Sequence, residues 1–203
     1  MLYLKQKNNI LNYLAHILLS GNDRRLEVGN FIGDFVKGTD YEQYPKRIKE
    51  GILLHRAIDS FTDNHPVFLE TVDMLLPDFG RYSGIMADMF YDYLLASQFE
   101  KYSNGRSLKK FTRRFYSSLL LNYPWLPKQV KGFMVHFITS DRLGEYATYS
   151  GLYKTLSIME RYKTDAIKPG HSLYFLENNE EKLREQFDRF MPEVIKFSEE
   201  KLK

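Results

Sequence analysis

Apolar residues recur at intervals of three and four along almost the whole chain. Ile48 and Ile52 follow this spacing in one segment, where His55 and Ile58 continue it in steps of three, and Phe90 and Leu94 follow it in another. This is the period of a helix with one buried face, whereas a strand with one buried face alternates apolar and polar residues. No convincing alternating run is present. The pattern therefore predicts an all-α fold.

Proline and glycine predict where the helices begin and end. Pro66 is typical of a first helical turn, and Pro77 and Gly80 predict the end of the same helix. Pro192 predicts a kink in the last helix, and residues 163–172 read as a loop. We expect helices at about 10–20, 25–37, 45–61, 66–76, 82–101, 107–121, 125–138, 142–163 and 178–202.

Length and composition favour one domain spanning residues 1–203. A chain of 203 residues that is 43% hydrophobic can bury a sizeable core, and no internal repeat or low-complexity tract divides it. The chain has no cysteine, which excludes disulfides, thiolate zinc sites and cysteine nucleophiles. Any metal must therefore be bound by His, Asp and Glu.

The apolar stretch at residues 10–19 is the only candidate for a targeting or membrane segment. Asn12 and His16 interrupt it, and no small-residue cleavage site follows, so it reads poorly as a signal peptide. It is also too short to span a bilayer. Together with the absence of cysteine, these features lead us to expect a cytoplasmic protein.

Positive charge is concentrated between residues 101 and 140. This interval holds eight of the 29 basic residues and no acidic residue, which leaves 21 basic against 26 acidic residues elsewhere. Lys109 and Arg113, like Lys110 and Arg114, are four residues apart, so all four lie on one helix face. Such a face is either an ordinary solvated surface or a surface that binds an acidic partner.

Histidines and carboxylates lie within the apolar helical pattern. His55, Asp59 and Asp63 follow one another at steps of four, and Asp88 and Asp92 repeat the step. Carboxylates in such a setting need cations or hydrogen-bond donors. A divalent metal would supply the cation, because helical bundles build metal sites from inward-facing carboxylates and imidazoles.

Each of these residues also has a structural interpretation. A histidine such as His16, in apolar sequence, is more often a hydrogen-bonded core residue than a ligand. Asp59 could pair with Arg56, and Asp63 could cap the following helix. The two pairs at a spacing of four are harder to explain by packing. Nucleotide-binding glycine loops, a nucleophile elbow and an H-E-x-x-H motif are all absent.

The chain resembles the acyl carrier protein phosphodiesterase family in four segments. They are NYLAH (12–16), GNFIGDFVKG (29–38), GILLHRAIDSFTDNHP (51–66) and residues 88–92. Enzymes of this family look like divergent HD phosphohydrolases and remove 4′-phosphopantetheine from holo-acyl carrier protein, usually with Mn²⁺. The resemblance thus implies an HD-like helical bundle, with residues 1–11 as an N-terminal extension.

The resemblance also implies roles for individual residues. The metal ligands would be Asp34, His55, Asp59 and Asp88. The chemistry of phosphodiester hydrolysis, rather than the resemblance, leads us to expect that the residues that contact phosphate, orient water or protonate the departing serine oxygen are drawn from His16, Arg56, Asp63 and Asp92. No His-Asp dipeptide occurs in the chain, so His55 and Asp59 at i,i+4 would take the place of the pair that names the superfamily.

The same resemblance gives the basic region a partner, since acyl carrier proteins are small, acidic and helical. Docking would then fall to Lys109, Lys110, Arg113 and Arg114. Two alternatives stay open: an HD-like phosphohydrolase of a nucleotide or other small phosphoester, and a non-catalytic helical module that binds through the basic face. Little in the sequence supports base stacking or a recognition motif, so we expect no nucleic-acid partner.

Overall fold

A computed structural model describes residues 13–162 and 166–203, and the predicted N-terminal extension lies outside these residues. The described part is all-α, which confirms the predicted fold class, and it contains no strand. Its α-helices are α1 (Tyr13–Leu18), α2 (Arg24–Phe31), α3 (Lys46–Asp63), α4 (Pro66–Phe79), α5 (Ser83–Ser97), α6 (Phe99–Tyr102), α7 (Leu108–Leu121), α8 (Lys128–Thr139), α9 (Arg142–Glu145), α10 (Tyr149–Tyr162) and α11 (Pro169–Lys201). Short 3₁₀ turns lie at Gly33–Phe35, Asp40–Gln43, Gly80–Tyr82 and Tyr123–Trp125.

Two predicted helix ends are wrong, and the helices expected at 82–101 and 142–163 are each divided into two. The helix expected at 25–37 ends at Phe31, and the 3₁₀ turn Gly33–Phe35 follows it. The helix expected at 178–202 already begins at Pro169, because a proline in the first turn lacks only a donor that has no helical partner there. The loop predicted for 163–172 is therefore helical in its last four residues.

Prolines inside helices do not end them here. Helix α4 continues through Pro77 to Phe79, where Gly80 adopts a φ of 50° and ends the helix. Helix α11 likewise continues through Pro192 over 33 residues. A proline removes one hydrogen bond, to the carbonyl four residues earlier, and packing of the surrounding turns can offset that loss. Within the described residues no helix is both long and apolar enough to cross a membrane.

Helices α2 and α3 contact each other backbone to backbone. A Cβ atom on Gly29 would lie 2.1 Å from the carbonyl oxygen of Ile48, and one on Gly51 would lie 2.3 Å from that of Leu26. Only glycine fits at both positions. This close approach sets the distance between α3 and the segment that follows α2.

Aromatic side chains hold the other helices around this pair. Phe31 is fully buried and lies 5.1 Å from Phe115 and 5.4 Å from Phe137 between ring centroids, which joins α2 to α7 and α8. On another side, Tyr91 of α5 lies 5.5 Å from Phe190 of α11.

Candidate active site

Two buried histidines and one half-buried carboxylate converge from α1 and α3. His16 Nε2 lies 3.3 Å from Asp59 Oδ1, and His55 Nε2 lies 3.5 Å from Asp59 Oδ2. The two imidazole rings stack with centroids 4.1 Å apart. One ligand atom from each residue lies within 4.8 Å of the other two. We call His16, His55 and Asp59 the histidine–aspartate cluster.

Asn30 fixes the orientation and the tautomer of His16. Its Nδ2 donates to the backbone oxygen of His16 (2.8 Å) and to Ser20 Oγ (2.9 Å), so its Oδ1 must be the atom that faces His16 Nδ1 at 2.7 Å. An amide oxygen only accepts, and Nδ1 therefore carries the proton. The lone pair of the neutral ring is then on Nε2, which is buried without a hydrogen-bond partner and faces Asp59.

Asp34 approaches His55 from the 3₁₀ turn after α2. Its Oδ1 lies 3.2 Å from His55 Nε2. The turn fits here because of Gly33, where a Cβ atom would lie 2.3 Å from Cγ of the His55 ring. The backbone of the turn thus packs directly against the imidazole, and Asp34 comes within reach of the cluster.

The two histidines have opposite pKa shifts. Burial lowers the pKa of His16, and the neighbouring His55 lowers it further. Burial opposes charge on His55 as well, but the hydrogen bond with Asp34 and the charge of Asp59 outweigh it and raise the pKa of His55. The contact with His55 in turn lowers the pKa of Asp34 despite its burial. Positive charge is therefore favoured between Asp34 and Asp59.

Asp88 and Asp92 lie beside the cluster rather than within it. Together with His16 and Thr62 they line a small cavity of about 30 Å³, which has room for one or two water molecules. Asp92 accepts hydrogen bonds from the backbone of Leu14 (3.3 Å) and of Ala15 in the first turn of α1. Burial raises the pKa of Asp92 well above its usual value, and nearby Asp88 adds to the rise.

Comparison with known proteins assigns the family. The profile of the acyl carrier protein phosphodiesterase family matches residues 11–194. The chain belongs to this family. Relatives named acyl carrier protein phosphodiesterase come from Yersinia pestis (26% identical over 191 residues) and Klebsiella pneumoniae strain 342 (29% over 196), each covering 94% of this chain and 99% of the relative. No solved structure matches.

Membership in the acyl carrier protein phosphodiesterase family confirms the resemblance seen in the sequence and makes the chain a phosphodiesterase, a class of hydrolase. Three predicted site residues, His55, Asp59 and Asp34, come together in this phosphodiesterase. His16, expected among the catalytic residues, lies in the same cluster and offers a ring nitrogen to it. No pattern in the sequence indicated the role of Asn30, although it is a polar residue in an apolar segment, as Asp34 is.

Arg56 and Asp63 of the phosphodiesterase lie at the edge of the site. Arg56 Nη2 donates to the backbone oxygen of Val36 (2.9 Å), and its guanidinium lies over the ring of Tyr41. Arg56 thus holds the backbone in place two residues after Asp34. Asp63 is the last residue of α3, and the N-cap residue of α4 is His65, whose side chain makes no capping hydrogen bond. A capping role for Asp63 stays a prediction.

The four basic residues expected to dock a partner are not equivalent. Lys109, Lys110 and Arg113 are exposed on α7. Arg114 is half-buried and forms an ion pair with Glu27, whose carboxylate is fully buried. It also donates to the backbone oxygen of Asn22 (2.5 Å). Arg114 joins α7 to α2 and is not part of the exposed face.

Proposed function

We propose that the protein hydrolyses the phosphodiester between 4′-phosphopantetheine and the serine of holo-acyl carrier protein, with the help of a divalent metal. Membership in a family named for this activity supports the substrate. The observation that carries the proposal is the histidine–aspartate cluster, whose three ligand atoms lie within 4.8 Å of one another in the interior.

The residues of the cluster fit a metal. His16 Nε2 is buried, lacks a hydrogen-bond partner and, with its proton on Nδ1, has its lone pair free for a cation. Two imidazoles and a carboxylate form a mixed nitrogen and oxygen donor set, which suits Mn²⁺ and other first-row ions. A bound metal would lower the pKa of a water ligand and offset the charge of the phosphodiester.

His16, His55 and Asp59 would hold this metal, which adds His16 to the ligand set implied by the resemblance. Asp34, in contact with His55 Nε2, would either complete the set or orient the ring. Asp88 faces the small cavity beside His16, from which it would bind the metal or a water molecule. The HD-like relationship of the fold stays a prediction.

The remaining polar residues would position the substrate and its protons. Arg56, held by Val36 and Tyr41, would present its guanidinium to a phosphate oxygen. Asp63, half-buried at the end of α3, would be the proton donor to the departing serine oxygen. Asp92 is buried under α1, where its two backbone hydrogen bonds favour a role in holding the helix that carries His16.

The test is hydrolysis of holo-acyl carrier protein with added Mn²⁺, followed by intact-protein mass spectrometry. We expect conversion to the apo form and loss of activity after chelation. His16→Gln and Asp59→Asn should each reduce turnover by at least about 100-fold, while circular dichroism stays helical. His171→Gln is the matched control, since exposed His171 pairs with Asp78 outside the cluster.

A second candidate, a phosphohydrolase of a nucleotide or other small phosphoester, would use the same cluster. A parallel panel of nucleotides and small phosphodiesters separates the two. Hydrolysis of a small phosphoester without any conversion of the holo-carrier would contradict the proposed substrate, and full activity after exhaustive chelation would contradict the metal.

A further inference from the structure

Four exposed apolar side chains lie at the end of α7 and in the 3₁₀ turn Tyr123–Trp125 that follows it. Leu120 is 57% exposed, Leu121 69%, Tyr123 47% and Trp125 43%. We call these four residues the apolar tip. Scattered exposed apolar residues are normal on a protein surface, but four within six positions form a patch of the kind that marks an interaction site.

The apolar tip is held in one conformation by its neighbours. The side chain of buried Asn122 donates to the backbone oxygen of Ser118 (2.8 Å) and ends α7. The backbone N–H groups of Trp125 and Leu126 donate to residues 122 and 123, which forms the 3₁₀ turn. Leu126 is buried and anchors the far end. A rigid patch loses little conformational entropy when it binds a partner.

Basic residues lie next to the apolar tip. The interval 101–140, in which it lies, has eight basic residues and no acidic one. Lys131 donates to the backbone oxygen of Pro124 and places its ammonium over the ring of Tyr123, and Lys128 is exposed at the start of α8. An apolar centre with a cationic rim matches a partner that has an apolar groove and an acidic rim.

Helix α8 links the apolar tip to the candidate active site. Helix α8 starts three residues after Trp125, and its Phe133 lies 5.9 Å from Phe35 between ring centroids. Phe35 directly follows Asp34 in the 3₁₀ turn that contacts His55. A macromolecule bound at the apolar tip would therefore reach along α8 to the edge of the cluster.

We infer that the apolar tip is the anchor by which the enzyme docks its protein substrate, an acidic helical protein with an apolar groove between helices. Leu121 and Trp125 enter the groove, and Lys128 and Lys131 pair with carboxylates at its rim. The inference rests on the proposed function and specifies the docking surface for that substrate. It extends the cationic surface beyond Lys109, Lys110 and Arg113.

Trp125 gives a direct readout, because it is the only tryptophan in the chain. We would titrate the enzyme with a tryptophan-free apo-acyl carrier protein, which has no phosphodiester to hydrolyse, and record tryptophan emission. The expected result is a shift to shorter wavelength that saturates, because docking removes water from the indole. Lys128→Glu/Lys131→Glu should weaken the apparent affinity about tenfold.

Kinetics of the variant Leu121→Ala/Trp125→Ala test the same surface. We expect KM for holo-acyl carrier protein to rise about tenfold or more, as for loss of aromatic anchors in interfaces. Turnover of a small phosphodiester should not change, because the cluster is intact. The matched control is Leu69→Ala/Tyr174→Ala, which removes exposed apolar side chains from α4 and α11.

Three results would overturn the inference. One is unchanged kinetics in Leu121→Ala/Trp125→Ala. Another is an emission shift caused by vesicles of phosphatidylcholine and phosphatidylglycerol but not by the apo-carrier, which would assign the apolar tip to a lipid surface. The third is a shift that depends on enzyme concentration alone, which would assign it to self-association. Absence of holo-carrier hydrolysis by the unmodified enzyme would instead contradict the proposed function, so the two failures are distinguishable.

Discussion

His16 and His55 show how two identical side chains acquire different chemistry only a few ångströms apart. Asn30 places the proton of His16 on Nδ1, so that Nε2 keeps its lone pair, and burial lowers the pKa of this ring. His55 faces two carboxylates, which raise its pKa in spite of burial. A cation held by His16, His55 and Asp59 would take the place of the proton that Asp34 and Asp59 now favour on His55.

The spacing of His55 and Asp59 was enough to predict that they lie together, because residues four apart share a helix face. Asp34 and His16 were predicted as site residues from their apolar surroundings and from the family resemblance. The contact of Asn30 with His16 could not be predicted. It joins residues 14 positions apart across a turn, and no periodicity reports such a contact.

Arg114 is the residue for which the charge pattern was least informative, because its ion pair with Glu27 crosses 87 positions of sequence. We expect Arg114→Ala to lower the free energy of unfolding by about 3 kcal/mol, since it leaves a fully buried carboxylate without its cation. Arg113→Ala, one position away and exposed, should change it by less than about 0.5 kcal/mol. Urea denaturation at pH 7 measures both.

The pH dependence of Arg114→Ala provides a further check. Burial raises the pKa of Glu27, and Arg114 opposes the rise, so the variant should have a still higher pKa. When folding raises the pKa of a carboxyl group, the protonated group stabilises the folded protein, and this contribution is complete at pH values below the pKa in the unfolded chain. The contribution is lost as the pH rises through the pKa in the folded protein. The loss in free energy of unfolding that Arg114→Ala causes should therefore become smaller as the pH is lowered toward 4.5, the ordinary pKa of a glutamate. A loss that is constant with pH would contradict this role for Glu27.

At the level of elements, the contact between α2 and α3 positions the candidate site. Helix α2 contains Asn30 and is followed by the turn with Asp34, and helix α3 contains His55 and Asp59. Gly29 and Gly51 allow the two backbones to touch. Any increase in the separation of these helices would move Asn30 and Asp34 away from the histidines that they orient.

We expect Gly51→Ala to lower the free energy of unfolding by about 3 kcal/mol, because its Cβ would lie 2.3 Å from a backbone oxygen that cannot move without α2. Gly132→Ala is the matched control. Gly132 lies inside α8 with nothing within 4 Å of an added Cβ, and there alanine should stabilise the helix by about 0.5–1 kcal/mol. Thermal unfolding of both variants measures the difference, and equal effects would contradict the close-contact explanation.

Helical periodicity was sufficient to predict most of the helices, but not all of their ends. The end of α2 at Phe31 depends on the turn that packs Gly33 against His55, which is a tertiary contact. The segment at 142–163 also divides into α9 and α10, although its apolar spacing continues. Local pattern predicts the presence of a helix better than its boundaries, since packing decides where the chain turns.

For the whole molecule, the distribution of charge along the chain says more about function than the net charge of +3 does. Eight basic residues and no acidic residue lie in residues 101–140. Exposed lysines attract an acidic macromolecule over distances of about 8–10 Å in physiological salt, and this attraction acts mainly on the rate of encounter. The sequence alone revealed the asymmetry, whereas the structure separates exposed Lys109 and Lys110 from Arg114.

We therefore expect Lys109→Glu/Lys110→Glu to raise KM for holo-acyl carrier protein about tenfold at low salt and to flatten its dependence on ionic strength. The variant Lys182→Glu/Lys196→Glu changes the net charge by the same amount at exposed positions of α11. It therefore controls for the change in total charge. Steady-state kinetics from 50 to about 500 mM salt, with a small phosphodiester in parallel, would measure both. If the two double variants raise KM equally, the effect is one of net charge, and α7 has no particular role in docking. If turnover of the small phosphodiester falls as well, α7 supports the active site itself.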